Sequence, residues 1–154
     1  MKTYVDANFF TRLYLDFDSS GAARDILTST EMQQNWPLPV TTLLRLEVVN
    51  GIQRMVYESR TGGQWRVTPE AADAAIARFD DHLQSGVFLR RVPLTLEQIE
   101  HEFSDLAGRH TSKHGFRTYD LLHVSSALRL RCQRFLSFDK KAIKLAALEG
   151  LRTA

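Results

Sequence analysis

The chain has 154 residues, of which 44% are hydrophobic and 25% charged, and a formal net charge of +2. Those values exclude a disordered, collagen-like or coiled-coil chain, and the length is that of one domain, taken as residues 1–154, able to bury ~70% of the surface its unfolded form exposes. The single cysteine, Cys132, excludes an internal disulfide framework and fits a reducing compartment.

Lys2-Thr3-Tyr4-Val5-Asp6 reads as a short strand of β-formers. A helix follows over Ala7 to Asp16, with Phe10, Leu13 and Phe17 at helical spacing. Ser19 or Ser20 caps a second helix to Gln33 or Gln34, which Trp36-Pro37-Leu38-Pro39 ends. Pro39-Val40-Thr41 is a second strand. Thr42 to Arg60 is the longest helix, with Leu44, Val48, Ile52 and Met55/Val56 on one stripe and Thr61-Gly62-Gly63 as its stop. Pro69, favoured in a first turn, opens a helix to Gln84, and Gly86 closes it. Val87 to Val92 is a strand. Thr95 with Gln98 forms a capping box for a helix to about Arg109. Thr118 or Tyr119 starts the next, to Cys132. Arg134 to Phe138 is a strand, Lys140 to Leu148 a short helix stopped by Gly150, and a last strand begins at Leu151.

Strands alternating with helices predict right-handed crossovers. The expected fold is a three-layer α/β domain: a short, mainly parallel sheet of four to five strands with helices on both faces. No apolar run approaches the ~18 residues a spanning helix needs, and no secretory signal pattern is visible, so the chain reads as cytoplasmic with no membrane partner. Charge is uneven. Residues 1–105 carry 10 Lys and Arg against 15 Asp and Glu, a net of −5; residues 106–154 carry 10 against 3, a net of +7. A basic final third attracts phosphates, though a solvated helix face has the same composition.

In parallel sheets functional groups gather beyond the carboxyl ends of the strands. Asp6 ends the first strand and Asp139 follows the strand ending at Phe138, so both project at one edge if those strands are parallel. Glu47 sits on the border of an apolar helix stripe, and Asp120 points along a largely apolar face. A carboxylate in such a place is costly unless neutralised. Four carboxylates meeting at one edge repel one another unless a cation joins them, and Mg²⁺ or Mn²⁺ is the hard ion that suits oxygen ligands. Such a centre activates water for attack on a phosphodiester. Each acid also has a plainer use: Asp6 and Asp139 as helix caps, Asp120 as a first-turn acid, Glu47 as a partner for Arg54.

The same residues resemble the PIN domains, and within them the VapC-like toxin ribonucleases. The resemblance rests on Tyr4-Val5-Asp6-Ala7-Asn8, on Thr41-Thr42-Leu43-Leu44-Arg45-Leu46-Glu47, on Tyr119-Asp120-Leu121-Leu122-His123-Val124-Ser125-Ser126-Ala127-Leu128, on Phe135-Leu136-Ser137-Phe138-Asp139, and on the ending Lys141-Ala142-Ile143 to Gly150-Leu151. It implies an endoribonuclease dependent on Mg²⁺ or Mn²⁺, with Asp6, Glu47, Asp120 and Asp139 as its acidic quartet and metal ligands. Asn8 and Ser137 are implied as supporting polar residues. RNA substrate, a small cognate antitoxin and a homodimer are the implied partners. Phe9, Phe10, Tyr14 and Trp36 are candidate contact residues, with core packing as their competing use. The segment from Arg60 to Pro69 is one place for length beyond the family's usual size.

Arg117, Lys140 and Lys141 lie near the acids in sequence and are candidates for holding phosphate oxygens. His123 lies near the acidic helix face, where a packed or surface role is the plainer account. His110 and His114 have the i, i+4 spacing of a zinc pair but no third ligand. Trp65 beside Arg66 offers a base-stacking pair or a helix-terminating turn. Three other readings stand beside the toxin. An aspartyl phosphatase expects a second acid where Asn8 stands; a PIN nuclease of RNA processing and a non-catalytic nucleic-acid-binding module also fit.

Overall fold

Short strands buried on both faces are mostly apolar. The computed structural model describes residues 1–15 and 21–154; three of its four strands are wholly buried, with Thr3 and Arg134 as their polar members, and the fourth exposes Arg90 and Arg91. Strand β1 (Thr3–Val5) is wholly buried and pairs in parallel with β4 (Arg134–Leu136), Tyr4 opposite Phe135 and Val5 opposite Leu136. The two facing rings stack at 5.6 Å. Strand β2 (Leu38–Val40) pairs in parallel with β3 (Leu89–Arg91). β1 lies beside β2, which gives the order β3–β2–β1–β4 in two hydrogen-bonded pairs. The strand expected from Leu151 is reduced to one parallel bridge between Arg134 and Arg152.

Helix α1 (Ala7–Leu15) packs on α4 (Thr42–Arg60) and α5 (Pro69–Ser85). On the other side α8 (Thr118–Arg129) packs on α6 (Leu96–Leu106) and α9 (Lys140–Leu148). Helices on both faces of parallel strands make the three-layer α/β arrangement. Side-chain caps set the starts: Thr41 accepts from the Leu44 amide, Thr68 from Ala71, and Thr95 and Gln98 satisfy each other's backbone amides.

The strands expected over 87–92 and 134–138 are shorter, Leu89–Arg91 and Arg134–Leu136, and three helices run differently from expectation. The second helix is two, α2 (Ala22–Leu27) and α3 (Thr30–Gln33), because Ser29 turns extended and caps α3 through the Met32 amide at 3.2 Å. Ser19 and Ser20, read as its caps, lie outside the described residues. The helix expected to stop at Arg109 continues through a π-helical turn (Ala107–Thr111) into α7 (Ser112–His114), and Gly115 ends it at φ +68°. The next helix ends at Arg129 rather than Cys132, with Arg131 in the left-handed region at φ 59°.

Phe9, Phe10 and Tyr14 are buried, so core packing, not partner contact, is their use. α1 is covered by two helices: Phe10 and Tyr14 meet Phe79 of α5 at 5.7 and 5.3 Å between ring centres, and Phe9 stacks on Phe138 at 4.0 Å. Trp36 packs edge-on to Phe88 and donates its indole N–H to the Leu27 carbonyl. Among the described residues no helix is long and apolar enough to cross a membrane.

Phe79 is fully buried between α1 and the rest of the core, so Phe79→Ala should cost about 3–5 kcal/mol in urea unfolding, and a loss under about 1 kcal/mol would show that α5 is not part of the cooperative core. Burial pushes the Cys132 thiol up to about 11, against a smaller pull from Lys2. At neutral pH it should resist an aromatic disulfide reagent in the native protein and react promptly once urea unfolds the chain; equal rates would contradict its placement.

Candidate metal centre

Because β1 and β4 are parallel, both chains leave the sheet at the same edge. The Asp6 amide still belongs to the ladder, donating to the Leu136 carbonyl at 2.9 Å. Its carboxylate then turns to the start of α1: Oδ1 accepts from the Ala7 amide at 2.7 Å, and Oδ2 accepts from the Ser137 hydroxyl at 2.8 Å. Asn8 closes the link between the two strand ends. Its amide nitrogen donates to Ser137 Oγ at 3.0 Å and to Asp6 Oδ2 at 3.4 Å, while its oxygen accepts from the Phe138 amide at 2.9 Å. Ser137 Oγ also accepts from the Asp139 amide at 2.9 Å. One hydroxyl thus gives its single proton to Asp6 and accepts two others, which uses its full capacity.

Asp139 caps α9, Oδ1 accepting from the Lys141 and Ala142 amides, and its Oδ2 meets Arg117 Nη2 at 3.2 Å. Asp120 lies in the first turn of α8 and accepts the Arg117 amide at 3.0 Å, with Arg117 Nε at 3.8 Å. The N-termini of α1, α8 and α9 therefore each present backbone N–H groups to a carboxylate, and their dipoles favour the negative charge. Glu47 lies between the buried Leu44 and Val48 on α4 and reaches across to His123 Nε2 in direct contact. Arg54, its alternative partner, pairs with Glu58 instead.

All four acids line one open cleft of about 960 Å³, together with His123 and Arg117. They are not equally placed. Asp6, Glu47 and His123 each offer a donor atom within 4.8 Å of the others. Asp120 and Asp139 share the guanidinium of Arg117. Burial raises the Asp6 carboxyl above the usual range; His123, Ser137 and the Ala7 amide pull it down only in part. His123 is 2% exposed. Its burial disfavours the imidazolium, but Glu47, Asp6 and Asp120 outweigh that and raise its pKa.

His123 is thus both packed and part of the site, one turn after Asp120 on the same helix face; that i, i+3 spacing was its signal. Its Nδ1 meets the hydroxyl of Tyr4, fully buried in β1, at 2.8 Å. Tyr4 carried no functional signal. Lys141 turns away to the His114 carbonyl at 2.7 Å, and neither it nor Lys140 lines the cleft. Arg12 and Arg54 do line it, Arg12 on the same face of α1 as Asn8. His110 is held by Glu149 and lies outside the cluster of possible metal donors.

A strand-end acid, a helix glutamate, an Asp-led helix and a second strand-end acid around one cleft are what the family reading requires, and the PIN domain family model matches residues 3–148. The chain belongs to the PIN domain family. PIN domains are typically nucleases that use divalent metals. No curated protein matches the chain. The donor set of this PIN domain suits such an ion: two carboxylates and an imidazole face one another, one carboxylate is buried, and a cation relieves their mutual repulsion.

With metal chelated, Asp6→Asn should raise the thermal unfolding midpoint at pH 7, because it removes a buried charge beside Glu47 and keeps an oxygen for the Ala7 amide. A lowered midpoint in calorimetry would show that the hydrogen bonds to the carboxylate outweigh its desolvation.

Proposed function

We propose that this PIN domain is an endoribonuclease dependent on Mg²⁺ or Mn²⁺, and the toxin of a toxin–antitoxin pair. The observation that supports it best is the meeting of Asp6, Glu47, Asp120 and Asp139 around one cleft that also carries arginines. Asp6 and Glu47 would hold the ion, with Asp120 and Asp139 completing the acidic wall. A divalent cation bound there supplies Lewis-acid chemistry, making water more acidic and offsetting charge on the phosphodiester.

The chain's own residues supply the positioning. Asn8 and Ser137 fix the Asp6 carboxylate against the exit of β4, so its direction does not depend on the substrate. Glu47, less buried than Asp6, would reach the ion from α4 with Oε2, the oxygen that faces His123, and would orient a water with its other oxygen. Arg117 bridges Asp120 and Asp139, yet its side chain is 71% exposed. It can leave them for a phosphate oxygen without unpacking the core, and an arginine offers that oxygen a charged, forked donor. The Arg12 guanidinium carbon lies over the Phe138 ring, 3.9 Å from its centre, and Arg12 lines the same cleft.

The toxin assignment rests on the resemblance to the VapC-like ribonucleases. It carries with it a small antitoxin encoded beside this chain, a homodimer and a cytoplasmic setting. A small antitoxin-like reading frame next to the gene supports the toxin, and mixing with its product should suppress cleavage. Undiminished activity in a tight complex would contradict inhibition at the cleft.

Purified protein should cut pooled cellular RNA, and a circular RNA, with Mg²⁺ or Mn²⁺ and not with EDTA. Folded Asp6→Asn and Asp120→Asn should each lose at least about a hundredfold in rate, the scale on which metal-site groups act. No cleavage with any metal, or equal cleavage by the variants, would overturn the nuclease reading.

A further inference from the structure

The site holds one group that an all-oxygen centre does not need. His123 is buried on α8, and its two ring nitrogens have different surroundings. Nδ1 is taken by the Tyr4 hydroxyl at 2.8 Å inside the core. Nε2 faces the cleft, in contact with Glu47 and 3.8 Å from Asp6 Oδ1. That last distance is too long for a hydrogen bond. It falls within the span of two ligands on one ion: donors at roughly 2.1 Å from a metal stand about 3 to 4.2 Å from each other. A metal-binding imidazole is also commonly anchored through its other nitrogen, which sets the ring's direction, and Tyr4 provides that anchor.

We infer that His123 Nε2 is itself a ligand of the metal centre, and that this nitrogen makes the site select a first-row transition ion such as Mn²⁺ over Mg²⁺. This rests on the metal-dependent reading above and adds the identity of the donors and of the ion. Mg²⁺ is a hard ion that favours oxygen and keeps its waters, whereas imidazole gains affinity across the transition series. In the metal-loaded protein the ion replaces the direct contact between Glu47 and His123. Nδ1 then carries the ring proton and donates it to the Tyr4 oxygen. The competing role for His123 is a hydrogen-bond partner that aims Glu47 and never touches the metal.

The two roles separate in a spectrum rather than in a rate. Protein stripped with chelator is loaded with less than one equivalent of Mn²⁺ and studied by pulsed electron paramagnetic resonance for coupling to ¹⁴N. Calorimetry with Mn²⁺ and with Mg²⁺ runs beside it on the wild type and on His123→Asn. The wild type should show the coupling and bind Mn²⁺ at least about tenfold more tightly than Mg²⁺; the variant should lose the coupling and most of that preference. Mn²⁺ bound without ¹⁴N coupling, or an unchanged preference in the folded variant, would overturn the inference and leave the nuclease reading standing. Binding of neither ion would overturn both. The wild-type spectrum decides the question even if His123→Asn does not fold.

Discussion

A carboxylate taken out of water must find hydrogen-bond donors or a cation. The edge of this sheet is built around that requirement at Asp6. The parallel pairing of β1 with β4 brings Ser137 to Oδ2 of this carboxylate, while the start of α1 supplies Asn8 to the same oxygen and the Ala7 amide to Oδ1. Those donors are not enough to offset burial, since the carboxyl remains raised. The unmet part of the requirement is positive charge. His123 stands where it can supply some of it, and the arrangement of Glu47 with both makes a divalent ion the natural completion.

At Asp120 and Asp139 the same requirement is met in another way. Asp120 and Asp139 are held by helix amides and share Arg117, which is anchored at its backbone and exposed at its tip. The cleft therefore combines a group of donors that suits an ion with a pair of acids whose shared counter-charge is exposed. Arg117 can leave its carboxylates at little cost in packing, because its side chain is 71% exposed.

Much of this was legible in the sequence, for local reasons. A β-rich pentapeptide ending in Asp6 and a strand followed by Asp139 place both acids at one edge as soon as the strands are parallel. The apolar stripes of α4 and α8 put Glu47 and Asp120 where a charge is out of place. Capping and site roles coexist: Asp6, Asp120 and Asp139 each accept a backbone amide at a helix start and still line the cleft. A carboxylate has lone pairs for both. What was not legible depended on distant neighbours. Helical spacing placed His123 near Asp120, but only the approach of α4 and of Tyr4 turns that imidazole into part of the site. The aromatics of α1 looked available for a partner because nothing local says that α4 and α5 cover them. The break at Ser29 is a local cap on the Met32 amide that a continuous helical pattern hides.

The central claim is that this buried acidic edge is completed by a divalent cation held through Asp6. Ligand binding to the native state raises stability with the logarithm of free ligand over the dissociation constant, about 2.7 kcal/mol at a hundred times that constant. Thermal unfolding of the wild type and of Asp6→Asn, each with EDTA and with saturating Mn²⁺, reads this directly. The account predicts a clear rise in the wild-type midpoint with Mn²⁺ and none in the variant. No rise in the wild type, or the same rise in both, would contradict it.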